Sequence, residues 1–297
     1  MALGPIRGLK YGVEATYGAD PSTFIALHAR GSTLGIRRRN ARTGAGLGLG
    51  AGMTARMPSY VDGEVTFGWN FAEATVGELL QAFCVPTSTT YALGAGGFPT
   101  NPSLGFNANY GGLTTATTEY AFRGLIPTKL RLEWRPDADI QATVGFAGIS
   151  EAAVASPADP SPPAASTLVL PSSYGALSLD STAVTFKRAV YELSIGHEFV
   201  GLDDVGAETA RRALWSGQWA HKFTVDFDYD DATGSNTKAL ITDLIGTSTP
   251  GQISSLTLGS SFAAANWHIT GDHPVLKSGN IPMSLTGDLS TAIITTA

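Results

Sequence analysis

Gly63-Glu64-Val65-Thr66-Phe67-Gly68-Trp69-Asn70-Phe71 is the stretch whose reading decides the fold class. Val65, Phe67, Trp69 and Phe71 fall on one side of an extended chain, and Glu64, Thr66, Gly68 and Asn70 on the other. That period of two predicts a strand with one buried face and one wet face. Burying four such side chains stabilises by about 2 kcal/mol each before ordering costs. After a break at 73–75, Val76, Leu79, Leu80 and Phe83 recur with the spacing of one face of a short amphipathic helix. Thr75 is placed as its N-cap with Glu78 as capping-box partner, and Pro86 stops it. The unit is a half-buried strand, a short connection and one short helix.

The same unit recurs towards the C-terminus. Phe223, Val225, Phe227 and Tyr229 alternate with Lys222, Thr224, Asp226 and Asp228. A polar turn at 230–235 leads to Leu240, Ile241, Leu244 and Ile245, and Gly246 ends the helix. Beyond each helix, Phe122-Arg123-Gly124-Leu125-Ile126-Pro127 resembles Ile269-Thr270-Gly271-Asp272-His273-Pro274. Ile140-Gln141-Ala142-Thr143-Val144-Gly145 likewise resembles Ile281-Pro282-Met283-Ser284-Leu285-Thr286. The repeated order reads as a diverged internal duplication. Between the copies, 151–168 is rich in Ala, Ser and Pro (Pro157, Pro160, Pro162, Pro163) and reads as a linker. The expectation is a mainly β chain of two tandem β-sandwich or barrel domains, 1–150 and 169–297, each with one short flanking helix.

Composition agrees with that class. The 297 residues include 35 glycines, and Ser and Thr crowd the gaps between short apolar runs. Charged residues make up only 15% and the net charge is −6, which argues against a nucleic-acid binder. No apolar run approaches the ~18 residues of a membrane-spanning helix. Met1-Ala2-Leu3-Gly4-Pro5 lacks a basic region followed by an apolar core, so no secretion signal is expected. The one cysteine, Cys84, lies on the apolar side of the first helix and reads as a small core residue.

Between these landmarks, 9–17 reads as an extended arm and 33–37 as a strand. Leu130, Leu132 and Trp134 alternate with Arg131, Glu133 and Arg135, turn at 136–139, and return as Ile140, Ala142, Val144 and Phe146, which predicts a hairpin. A further strand is expected at 190–195, followed by the acidic residues Asp203, Asp204 and Glu208. Two long segments stand out. Residues 37–62 form a Gly-rich loop or hairpin carrying the chain's one basic concentration, Arg37, Arg38, Arg39, Arg42 and Arg56. A solvated loop is the plain reading of these five; the sharper one is a candidate inter-subunit or inter-ring loop ordered by an acidic surface on another subunit, with direct DNA binding third. Residues 87–118 read as a Gly/Thr/Asn-rich insertion with isolated aromatics, Tyr91, Phe98, Phe106 and Tyr110.

Chemistry-bearing motifs are sparse. Gly44 to Gly52 matches a Gly-x-Gly-x-x-Gly spacing only because glycines alternate there, and no Lys-Ser or Lys-Thr follows. Asp226, Asp228 and Asp230 begin like a calcium loop, but the sixth position is Asp231 and the closing position Thr237. His28, His197, His221, His268 and His273 show no metal spacing, and Asp137 with Asp139 is explained by a turn. Trp69 and Trp134 sit on apolar strand faces, where packing outranks sugar stacking. The chain is read as a non-enzyme without cofactor or metal, with an all-β hydrolase or carbohydrate-binding β module as the rival class.

The layout resembles the tail tube proteins of long-tailed bacteriophages. Tyr11-Gly12-Val13-Glu14-Ala15-Thr16-Tyr17-Gly18 with Pro21 is similar to the opening of many of them. So are Asp62-Gly63-Glu64-Val65 leading into a strand and short helix, and Gly124-Leu125-Ile126-Pro127 leading to Gln141-Ala142-Thr143-Val144-Gly145-Phe146. The resemblance implies a structural virion protein assembled in the host cytoplasm. Its subunits form rings that stack into a hollow tube through which DNA passes, and no catalytic residue is implied. A duplicated tube domain implies three-fold rings of pseudo-six-fold symmetry, and a single one six-fold rings. Its partners would be copies of itself, a tape measure protein and a tail terminator, with DNA in transit only. Another virion β-protein, such as a terminator, baseplate ring or decoration protein, is the runner-up.

Overall fold

The alternating stretch folds as strand β7 (Tyr60–Gly68), with Val61, Val65 and Phe67 fully buried and Trp69 buried just past its end. The computed structural model describes residues 6–27, 29–33, 35–37, 40–42, 54–56, 60–69, 74–94, 99, 102–110, 118–153, 176–200, 212–229, 236–246, 251–270 and 281–296. Phe71, the fourth expected core residue, lies outside these. Helix α1 (Ala74–Gln81) buries Val76, Leu79 and Leu80 as its spacing demands, with Phe83 and Cys84 buried beyond its end. Thr75 is already helical, one residue inside the start, so it is not the N-cap; a cap keeps non-helical dihedral angles.

The second unit follows the same plan. On β16 (Arg212–Tyr229), Phe223, Val225, Phe227 and Tyr229 are buried. Lys222 between them is exposed, and Thr224, Asp226 and Asp228 are half-exposed. Helix α2 (Asn236–Gly246) buries Leu240 and Ile241. Each unit strand pairs antiparallel with the strand expected to close it: β7 with β11 (Ala138–Gly148), and β16 with β19 (Ile281–Leu289). The registers correspond. Phe67 lies opposite Ala142 and Val65 opposite Val144, as Phe227 lies opposite Met283 and Val225 opposite Leu285. The second Gly-x-x-Pro motif, from Gly271, falls outside the described residues.

Between the two pairs run β10 (Thr118–Arg135) and β15 (Phe186–Val200), giving a six-stranded antiparallel sheet in the order β7–β11–β10–β15–β16–β19. The expected hairpin is β10–β11, and the strand expected at 190–195 lies within β15. One face of this sheet is apolar. It is covered by a second layer in the order β13 (Leu177–Leu179), β17 (Gln252–Leu258), β18 (Phe262–Ile269), β20 (Thr291–Thr295) and β8 (Thr90–Leu93). Phe262 of the cover meets Trp134, Tyr191 and Phe223 with ring centroids 5.4, 5.0 and 6.0 Å away.

The strand order does not divide into two tandem units. β10 and β15, from either side of the expected linker, pair from Lys129–Ser194 to Trp134–Ala189. β8 crosses the other way, laying Tyr91 opposite Ile294 at the far end of the chain. One buried cluster therefore spans both halves. The physical reason is edge satisfaction: each half alone would leave a long open edge, and pairing the two removes both.

Three smaller expectations change with the structure. The 9–17 arm is instead β1 (Ile6–Val13), held between β2 (Ile25–Leu27) and β9 (Leu104–Tyr110). The expected 87–118 insertion contributes two sheet strands, β8 and β9, which bury Tyr91, Leu104, Phe106 and Ala108. Gly105 and Asn107 between those apolar positions hide the alternation from a composition-based reading. The linker begins as β12 (Ser150–Ala153), paired with β10, and its remainder lies outside the described residues.

The Gly-x-x-Pro motif has a geometric role. Residues 118–125 of β10 pair with β9 and β12, whereas 126–135 pair with β11 and β15. The ladder shifts register on either side of the motif, and Gly124 adopts φ +63°. Only glycine takes that angle without strain, and a Cβ there would press on Ile149. Glu14 accepts the Gly124 N–H at 2.7 Å and the Gly18 N–H at 2.7 Å, while the Tyr17 hydroxyl donates to the Gly124 carbonyl at 2.9 Å. The N-terminal Tyr-Gly motif thus pins the bend that carries β10 from one sheet to the other. Among the described residues, no helix is long and apolar enough to cross a membrane.

Candidate functional site

Among the described residues no second layer lies over the other face of the six-stranded sheet, and that face is mostly polar, with Val190 on β15 an apolar exception. Along the direction of the ladder bonds, Thr66, Thr143, Arg131, Glu192, Lys222 and Asp288 stand in one row, one from each strand. Charge alternates in its last four positions, the arrangement in which opposed cross-strand pairs attract. The Thr66 and Thr143 hydroxyls lie 3.1 Å apart, and those of Thr224 and Thr286 lie 2.6 Å apart in the neighbouring row. Lys129 reaches Glu64 at 2.8 Å, Arg131 Nε reaches Glu192 at 3.2 Å, and Lys187 reaches Asp228 at 2.6 Å.

Glu133 is the centre of this surface. Its Oε1 accepts from Arg135 Nε at 2.7 Å and Arg188 Nε at 2.9 Å, and its Oε2 from Arg131 at 2.5 Å. The residue is only 5% exposed, although strand alternation placed it on the wet side. Three guanidinium planes, with Val190 directly opposite on β15, cover it. Burial by itself would raise the carboxyl pKa. The hydrogen bonds from Arg188, Arg135 and Arg131 outweigh that and hold it at about 2. Arg188 also approaches Asp226 at 3.7 Å. Cation and carboxylate are thus matched within the face.

The residues singled out in the sequence fall elsewhere. Arg37 is in β4 (Gly35–Arg37), which pairs with β7 together with β3 (Ala29–Ser32). Arg42 and Arg56 lie on a separate two-stranded ribbon of β5 (Asn40–Arg42) and β6 (Thr54–Arg56). Arg38 and Arg39 lie outside the described residues, as do Asp203, Asp204, Glu208, Asp230, His28 and His273. Asp226 and Asp228 are strand residues that face Arg188 and Lys187, and no cluster of metal-ligating groups occurs among the described residues. Trp69, Trp134 and Trp267 are core, and Trp215 meets Trp219 edge-on at 76°. Cys84 is buried, its thiol pushed up to about 11 by desolvation. Nearby in the core, the Tyr191 hydroxyl and His221 Nδ1 lie 2.8 Å apart, and burial lowers the His221 pKa.

Sequence reasoning missed the Glu133 centre. Its signal was legible as Arg131-x-Glu133-x-Arg135, two cations flanking one acid on a single strand face, but the third arginine comes from β15, 55 residues away. No protein-family model matches the chain, and no curated protein matches it in sequence.

Proposed function

We propose that this chain is a tail tube subunit: a structural, non-catalytic virion protein that forms rings and stacks them into a conduit for DNA. The observation that carries this reading is the six-stranded sheet, continuous through both halves of the chain, with one face in the core and the other polar and internally charge-paired. A conduit wall needs a smooth wet surface that leaves few cations free, because phosphate contacts are gained by counterion release and would hold the passing duplex. The sheet's ends support the reading too. Ladder partners of β19 from Ile281 to Leu285 come from β16 alone among the described residues, and β3 and β4 flank the opposite end. An edge of that kind pairs readily with a neighbouring copy. Two corresponding strand–helix units per chain favour three chains per ring, with further contacts to a tape measure protein and a tail terminator.

Negative-stain microscopy and sedimentation of the purified chain test this. Polymerisation into hollow tubes whose cross-section holds three chains is the expected result. A chain that stays monomeric at high concentration, with no tubes on the grid, overturns the assignment. Single closed rings that never stack would favour a terminator or baseplate component instead, and six chains per ring would refute the three-fold reading.

A further inference from the structure

Three guanidiniums converging on one point form the donor set that elsewhere captures phosphate or carboxylate. Here that point is occupied by the chain's own side chain. Glu133 takes a forked pair from Arg188, Nε to Oε1 at 2.9 Å and a terminal nitrogen to Oε2 at 3.5 Å. Arg135 places two nitrogens on Oε1, at 2.7 and 2.6 Å, and Arg131 reaches Oε2. The arginines themselves remain accessible: their side chains are 23% (Arg131), 54% (Arg135) and 38% (Arg188) exposed, against 6% for Glu133. The nearest other carboxylates, Glu192 and Asp226, sit on the outer flanks of Arg131 and Arg188. Lys222 stands opposite Glu192 on β16.

We infer that Arg131, Arg135 and Arg188 form an oxyanion site that Glu133 keeps filled, so that this face takes no phosphodiester unless that carboxylate is removed. The site's ligand class is the phosphate chain of a nucleic acid or polyphosphate. Glu133 is a positioning residue: it turns the guanidinium forks inward and supplies the oxygens a phosphate would supply. Its role on a conduit wall rests on the tail tube reading, whereas its phosphate-excluding geometry does not.

The experiment measures binding of a short random-sequence DNA duplex, and separately of inorganic pyrophosphate, to the full chain at low salt. Glu133→Gln keeps the shape but replaces one acceptor oxygen with a donor, which the surrounding guanidiniums cannot satisfy. The arginines should turn outward. Affinity should rise roughly tenfold or more, with a log–log salt slope for the duplex of about −2 to −3 for two or three phosphates held. Adding Arg188→Gln to that variant should reverse most of the gain. Glu192→Gln should leave binding close to wild type, because Glu133 still fills the site. Where E133Q does not fold, Glu133→Asp, which keeps the charge but withdraws it by one methylene, should give intermediate affinity. A folded E133Q, or failing that E133D, that binds no better than the wild type overturns the proposal, as does a wild type that already binds through these arginines. Binding is read on free chains, so failure here is separable from failure to form tubes.

Discussion

Phe262→Ala tests whether the chain has one core or two. Phe262 is 1% exposed on β18, and its ring lies against Trp134, Tyr191 and Phe223 at centroid distances of 5.4, 5.0 and 6.0 Å. Trp134 belongs to the first half of the chain and the other two to the second, so a single side chain ties both to the covering layer. Truncation of a buried Phe costs about 3–5 kcal/mol through lost transfer energy and the cavity left behind. Each aromatic pair accounts for about 0.5–1.5 kcal/mol. The melting temperature should fall by on the order of 10 °C. Urea unfolding followed by tryptophan fluorescence and by circular dichroism is the assay, since Trp134 and Trp267 report from opposite halves. A shared core predicts coincident transitions that move together with an unchanged slope. A double-mutant cycle with Trp134→Leu should return a coupling of about 0.5–1.5 kcal/mol. Two separated transitions with only one shifted, or a total loss below about 1 kcal/mol, would refute the single-core argument.

The register of the sheet makes a second test. Phe227→Asp buries an unpaired charge at a fully enclosed position and should abolish soluble expression, while Thr224→Asp on the wet face should remain soluble. Glu14→Gln leaves one of the Gly124 and Gly18 N–H donors without an acceptor, so chemical denaturation should show a loss of about 1–3 kcal/mol. The pH profile should fall on the acid side in two stages. His221, held neutral with a pKa below 6.5, disfavours folding once the unfolded chain takes up its proton below that pH. Glu133, lowered from 4.5 to about 2, contributes stability above 4.5 that is lost as pH falls towards 2. Melting curves at stepped pH check this, and E133Q should flatten the lower stage only.

The exposed pairs of this face, Lys129 with Glu64 and Lys187 with Asp228, contribute more to surface character than to stability. Exposed ion pairs on a β face are worth little individually because water screens them. Around Glu133 the same face carries Arg131, Arg135 and Arg188 in contact with carboxylates.

What the sequence by itself determined is local and periodic. Val65, Phe67, Trp69, Phe223, Val225, Phe227 and Tyr229 are buried where alternation put them. Val76, Leu79 and Leu80 are buried where helical spacing put them. The Leu130–Phe146 hairpin also follows from neighbours along the chain, since a side chain's face in a strand is set by its parity. The tertiary structure alone decided which edges meet. The pairing of β10 with β15, the crossing of β8 to β20, and the placement of β1 and β9 as sheet strands join residues tens to hundreds of positions apart. No periodicity encodes those partners, because an open strand edge presents the same row of N–H and C=O groups whatever its sequence. Glu133 is the clearest case. Its parity placed it in water, and it is buried because an arginine from another strand closes over it.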